Sequence, residues 1–322
     1  MRLVFFGTPE FAVATLQVVL AQPDLEVVGV VTQPDRKRGR GNQLVPSPVK
    51  LLAIEHQIPI QQPARIKKAA ESIEWLRSLN ADVFVVVAYG QILSQEILDI
   101  PKQGCINVHG SLLPAYRGAA PIQRCLVDGV TETGITTMQM DIGMDTGAML
   151  LKTMVPVPPL MNAGELGEIL AQAGAELLIQ TLRERPAPQP QDNLLATHAP
   201  PIPKSEWQLD WNEGAIDLHN KVRGFYPDCF IKFADKSVGI LGTIPLAAPY
   251  WSGDLPEIPE NSAVPGEIVK IIKGSGAVVK TGDGYLLLSQ VQPAGKKTQS
   301  GADFVNGGRL SIGMLLSQKE NP

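Results

Sequence analysis

The sequence predicts an α/β chain, a doubly wound and mostly parallel sheet followed by a smaller, OB-like β-barrel. Three observations predict it. The early hydrophobic runs are apolar at almost every position instead of alternating, as parallel strands covered on both faces require. Stretches with helical apolar spacing separate those runs. After Leu182 the texture changes, first to a proline-rich segment and then to short β-like runs split by Gly and Pro.

Residues 3–6 (LVFF) form the first predicted strand, which Gly7-Thr8-Pro9 ends. A helix over 10–20 follows, with a threonine to cap it and a proline at its first turn. Residues 27–32 and 83–89 (VFVVVAY) give two further strands. A sheet of this kind binds ligands beyond the carboxyl ends of its strands. Residues 183–204 read as a connecting strap. Beyond it lie an amphipathic segment at 215–222 and strand-like runs at 266–272, 277–281 and 285–291, with Gly274-Ser275-Gly276 as a hairpin turn. The expected division is 1–185 for the α/β domain, 186–208 for the linker and 209–322 for the barrel.

A length of 322 residues suits two domains, and 44% hydrophobic with 19% charged residues suits a folded, soluble chain. The net charge of −4 excludes a basic footprint spread over the whole surface, so any RNA contact must come from a local patch. Cys105, Cys125 and Cys229 form no C-x-x-C pair, which favours buried free thiols over zinc or disulfides. The opening segment lacks the basic region and cleavage site of a signal peptide, and no apolar run approaches the ~20 residues of a membrane span. A cytoplasmic protein is expected.

The densest polar chemistry lies in GCINVHGSLLPAYRGAAPI (104–122). Asn107 and His109 stand two apart on a predicted strand and so share a face, beside a Gly110 and Pro114 break. An amide can hold a carbonyl oxygen as charge develops on it, and an imidazole can move protons. Taken alone, the Asn-x-His spacing fits turn chemistry as well as catalysis. A second cluster, MDIGMDTG (140–147), offers Asp141 as a turn cap and leaves Asp145 open between capping and orienting an imidazole. Gly7-Thr8-Pro9 matches neither a dinucleotide fingerprint nor a P-loop. In DRKRGR (35–40), four cations against one anion leave a net +3 after the second strand, which fits a solvated loop or a phosphate-reading arm. A milder basic patch spans 270–297. His56, His198 and His219 show no ligand-like spacing.

The stretch 104–122, with VVVAYGQIL (85–93) and MQMDIGMDTGAML (138–150), resembles the 10-formyltetrahydrofolate-dependent formyltransferase family. The opening FFGTPEFAV, residues 31–50 and TGDGYLLLSQVQPAGKK (281–297) narrow the resemblance to the branch that formylates initiator methionyl-tRNA. It implies a Rossmann-like formyltransferase domain, a tRNA-docking barrel and a catalytic trio of Asn107, His109 and Asp145. It implies a folate pocket drawing on Tyr89, Gly90, Ile92, Leu93, Ser111, Leu112, Leu113 and Pro114, with 10-formyltetrahydrofolate as formyl donor and no metal. Arg36, Lys37, Arg38 and Arg40, with Lys296 and Lys297, are the expected tRNA contacts. No membrane or obligate protein partner is implied. Many relatives carry an N-P-W-P run where this chain reads FYPDCF (225–230). A sugar-nucleotide formyltransferase would share the trio without needing the basic loop, and an inactive RNA-binding protein would not need the trio.

Overall fold

The computed structural model describes residues 1–38, 43–233, 236–252, 256, 258 and 263–316. Contacts divide the chain into two compact units. The first takes Met1–Pro121, Glu132–Pro156 and Gly167–Ala199, and the second takes Ile122–Thr131, Val157–Leu166 and Pro200–Pro322.

The elements run β1 (Arg2–Gly7), α1 (Glu10–Leu20), β2 (Glu26–Val31), β3 (Arg36–Arg38), β4 (Gln43–Val45), α2 (Pro48–Glu55), β5 (Ile60–Gln61), α3 (Ala70–Ser78), β6 (Val83–Val87), α4 (Gln95–Leu98), β7 (Cys105–His109), α5 (Pro121–Val127), β8 (Glu132–Gln139), β9 (Met149–Pro156) and α6 (Ala163–Glu184). Then come α7 (Ala215–Gly224), β10 (Phe230–Phe233), β11 (Lys236–Pro245), β12 (Ile268–Ile272), β13 (Gly276–Lys280), β14 (Tyr285–Pro293), β15 (Gln299–Ser300) and α8 (Gly301–Gly308).

The first unit holds a seven-stranded sheet in the order β5-β2-β1-β6-β7-β8-β9. Pairing is parallel from β5 to β7 and antiparallel from β7 to β9. The chain runs outward from β1 through β2 to β5, then crosses to β6, so the strand order reverses between β1 and β6. Loops after those strands therefore diverge and leave a crevice at their carboxyl ends. The apolar runs have the burial that their composition demands: every residue of β6 is buried, and so are Leu3 to Phe6 of β1. On β7 the alternation separates two faces. Ile106 and Val108 look toward α6, where Gly174 has no Cβ to meet Val108 Cγ1, which would lie 2.9 Å away. Asn107 and His109 look the other way. Opposite them across the antiparallel pair stand Met138 and Thr136 of β8.

The second unit is built on an antiparallel sheet, β10-β11-β14-β13-β12, with β15 beside β14. Its core gathers Trp211, Leu218, Phe225, Ile240, Val279, Leu288 and Phe304. Both outer strands are bridged, β10 by Gln208 and the segment before β12 by Leu315, which leaves less edge backbone free to pair with another chain. The Gly274–Gly276 turn joins β12 to β13, with Ser275 N–H donating to the Ile272 carbonyl at 3.0 Å. All three cysteines are buried thiols outside any disulfide. Among the described residues, no helix is long and apolar enough to cross a membrane.

Candidate active site

His109 ends β7 and is 6% exposed. Its Nε2 lies 3.0 Å from the Tyr116 carbonyl, and a carbonyl can only accept, so Nε2 carries the proton. In the neutral ring the lone pair is then on Nδ1, which faces Asp145 Oδ1 at 3.7 Å. Tyr116 presents its carbonyl from a left-handed backbone (φ 59°), with its own N–H tied to Thr197 Oγ1 at 2.8 Å.

The loop joining β8 to β9 leaves the sheet beside Cys105, where Met140 N–H reaches the Cys105 carbonyl at 2.8 Å. It folds back over the face carrying Asn107 and His109. Asp141 caps the turn, as the sequence suggested: its Oδ1 accepts from Gly143 N–H at 3.1 Å and from Thr146 Oγ1 at 2.8 Å. Asp145 does more than cap. Its Oδ2 accepts from Gly118 N–H at 2.9 Å, and its Oδ1 takes a long contact from Asn107 Nδ2 at 3.4 Å. The Asn107 and His109 pair of β7 and the sequence-distant Asp145 thus share one place, and Asp145 is the member in contact with both others.

The segment after β7 is clamped from below. Thr136, fully buried, donates Oγ1–H to the Ser111 carbonyl at 2.8 Å and accepts from Leu113 N–H at 3.0 Å. Its cross-strand partner Lys152 donates to the Leu113 carbonyl, and burial lowers the pKa of that ammonium. Ser111 Oγ closes on the Ala115 carbonyl at 2.6 Å. Beside this segment, Gln91, Leu93, Met138, Met140, Ile142 and Asp145 line a cleft of about 140 Å³.

The residues expected in the folate pocket fall into two groups. Ile92 and Leu93 line the cleft, Ile92 at 61% exposed. Tyr89, Ser111 and Leu113 are buried, so their side chains shape the loops. The Tyr89 ring packs edge-on against Phe6 at 5.4 Å, and burial raises the pKa of its phenol. The Tyr89 carbonyl accepts from Thr8 Oγ1 at 3.0 Å and, with the Gly90 carbonyl, from Gln33 Nε2. Leu112 and Pro114 are partly exposed. Among the described residues, no group of three or more His, Cys, Asp and Glu side chains is arranged to hold a metal.

Residues Arg36–Arg38 of the basic run form β3, which pairs antiparallel with β4. Asp35 at its base is held by Gln62 Nε2 at 2.7 Å and Lys50 Nζ at 2.7 Å, and these hydrogen bonds lower the pKa of its carboxyl. Arg36 and Lys37 are exposed, with no ion pair among the described residues. Arg38 lies in β3, and Arg40 lies outside the described residues. In the second unit, Lys296 and Lys297 are exposed on the turn after β14. Sequence reasoning missed the supports of the site. These are the Tyr116 carbonyl, Gly118 N–H, Arg117 and Gln191, and no spacing pattern marks them, because backbone groups and an isolated amide carry no periodic signal.

A family model described as formyl transferase matches residues 1–182, and one for the formyl transferase C-terminal domain matches 201–309. The chain is 55% identical over 327 residues to a methionyl-tRNA formyltransferase of Trichodesmium erythraeum, covering 97% of each chain. It is 54% identical to one of Trichormus variabilis, covering 98% of this chain and 99% of the relative. Among solved structures, a sugar 3N-formyl transferase crystallised with dTDP and 5-N-formyl-THF shares the fold at a TM-score of 0.63 and 17% identity, over 92% of this chain and 99% of the other. HypX of Aquifex aeolicus in complex with tetrahydrofolic acid shares it at 0.60 and 14%, over 97% of this chain and 48% of HypX. The chain belongs to the methionyl-tRNA formyltransferase family.

Proposed function

We propose that the chain transfers the formyl group of 10-formyltetrahydrofolate to the amino group of initiator methionyl-tRNA, giving N-formylmethionyl-tRNA in the cytoplasm. The observation that carries the chemistry is the convergence of Asn107, His109 and Asp145 on one sheet face beside a cleft. The acceptor is read from the methionyl-tRNA formyltransferases that share half of this sequence over nearly the whole length.

The donor supplies a formyl carbonyl attached to nitrogen. The apolar cleft walls at Leu93, Met138 and Ile142 suit the faces of a flat ring, and the Gln91–Leu93 backbone suits its polar edge. Among the described residues Asn107 Nδ2 holds only a long contact to Asp145, so it can donate to the formyl oxygen as negative charge grows there. His109 Nδ1 carries the lone pair and takes the proton of the attacking amine. The new N–H points at Asp145 Oδ1, which offsets the charge of the imidazolium, and the proton then passes to the donor nitrogen as its bond to the formyl carbon breaks and tetrahydrofolate leaves. Arg36 and Lys37 supply exposed cations for the tRNA backbone from β3, as Lys296 and Lys297 do from the second unit.

The test is to incubate the purified protein with 10-formyltetrahydrofolate and charged initiator tRNA and to look for formylmethionine. A sugar-nucleotide acceptor used in place of tRNA would replace the reading. Replacing Arg36 and Lys37 together by Ala should lower kcat/KM for tRNA and flatten its salt dependence by roughly 0.7–0.9 per lost phosphate contact, with folate affinity unchanged. Identical salt curves would return the hairpin to a solvated loop.

A further inference from the structure

We propose that Gln191 is a positioning residue for Asp145, and that the segment carrying it is a working part of the active site instead of a passive connector. The inference rests on the role given to Asp145 above. Gln191 uses its whole amide. Nε2 donates to the Asp145 carbonyl at 2.8 Å and to the Gly147 carbonyl at 2.7 Å, and Oε1 accepts from Arg117 Nε at 2.9 Å. Arg117 is 6% exposed and donates a second bond, from Nη2 to Asn193 Oδ1 at 2.9 Å. Its backbone is tied to the same segment, through N–H to the Thr197 carbonyl at 2.9 Å and from Ala199 N–H to its own carbonyl at 2.7 Å.

One side chain therefore joins three segments: 116–118, which supplies the Tyr116 carbonyl to His109 and Gly118 N–H to Asp145; 145–147, which carries the carboxylate; and 191–193. The middle segment needs such support. Asp145 sits in the left-handed region at φ 56°, a conformation that persists in a non-glycine residue only where the surroundings impose it. Gly147 is wedged so closely on β8 that a Cβ would lie 1.9 Å from the Gln139 carbonyl oxygen. Two amide hydrogens on the carbonyls of 145 and 147 fix the plane of that turn, and with it the direction of the Asp145 carboxylate. Without them the turn can relax, and a shift of about an ångström at a reacting group is enough to cost up to ~10²-fold in rate.

The test uses the full chain and single-turnover formyl transfer to charged tRNA, with active-site concentration taken from titration with tetrahydrofolate so that unfolded protein does not count. Gln191→Met keeps the length and removes the amide. It should slow the chemical step by roughly 10- to 100-fold with tetrahydrofolate affinity changed less than about twofold. In an Asp145→Asn background the same change should add less than about twofold, because its effect passes through Asp145. Gln191→Glu, which keeps an acceptor for Arg117 but sets a carboxylate against two carbonyls, should be as slow as Gln191→Met. If Gln191→Met and Gln191→Glu run at the wild-type rate while Asp145→Asn is slow, the inference is overturned alone. Equal fold-losses for Gln191→Met in both backgrounds overturn it too, by showing a general structural effect. An Asp145→Asn enzyme at the wild-type rate overturns the role of Asp145 and this inference with it.

Discussion

His109 in the first unit and His219 in the second are hidden to a similar degree, at 6% and 2% exposed, yet only His109 has a carboxylate beside it. His219 is held by neutral groups, Thr243 Oγ1 at 3.0 Å from Nδ1 and the Pro159 carbonyl at 2.9 Å from Nε2, with the Tyr250 ring edge-on at 5.0 Å. The charge acting on it is a cation, Arg223, itself buried and bonded to Asn220 Oδ1 at 2.9 Å. Burial first, and Arg223 after it, push the His219 pKa down to about 4. Burial with a cation nearby therefore makes this histidine a neutral strut. His109 differs in facing a carboxylate at the edge of a cleft.

The largest expected effect tests the first half of that comparison. His109→Ala should lower kcat by about 10²–10³-fold, the usual worth of an oxyanion donor or acid–base group. Its stability cost should stay near ~1 kcal/mol, since one hydrogen bond to Tyr116 is lost. Near-normal turnover would break the contrast between the two rings.

The second effect is on stability and runs with pH. His219 has a folded pKa near 4 against an ordinary value of 6.5, so the unfolded chain binds the proton more readily. The stabilisation is complete above pH 6.5 and is lost as pH falls through that window toward 4, about 3 kcal/mol in all. Urea unfolding followed by tryptophan fluorescence reads it, because Trp207, Trp211 and Trp251 of the four tryptophans lie in the second unit. His219→Gln should be less stable at pH 7 and should lose this component of the acid dependence. An unchanged dependence would assign it to other groups.

The sequence reveals these two histidines unequally, for physical reasons. Strands β1, β2 and β6 are legible because a strand covered on both faces must be apolar throughout. The shared face of Asn107 and His109 is legible because strand geometry fixes it over two residues. Asp141 is legible as a cap, because an Asx turn is closed within five residues. Asp145 is not. Its place beside His109 depends on the β7–β8 register and on Gly118 N–H, 27 residues away, and a local pattern cannot encode either. The 183–204 stretch shows the same limit. Its prolines announce an absence of helix and strand, while the bonds of Gln191, Thr197 and Ala199 to the 116–118 and 145–147 segments are long-range contacts with no sequence period. His219 sits on a legible amphipathic helix, but its burial is set by Thr243 on β11 and by the Pro159 carbonyl.

The smallest effect separates the strut from its charge state. The Pro159 carbonyl can only accept, so His219 Nε2 carries the proton and Nδ1 the lone pair, which Thr243 Oγ1–H must fill. Thr243 is 4% exposed, so water cannot take over that bond without opening the core. Thr243→Val keeps the shape and leaves Nδ1 without a donor, which should cost about 1 kcal/mol or somewhat more at pH 7. The acid dependence should persist, because a proton added at Nδ1 would find no acceptor in the valine and would still face Arg223. Thr243→Ser should restore the wild-type unfolding midpoint, less the small loss of one methyl group. Turnover should not change in either variant. A Thr243→Val protein as stable as the wild type would mean that Nδ1 needs no donor, and that His219 is held by the Pro159 carbonyl and the Tyr250 ring alone.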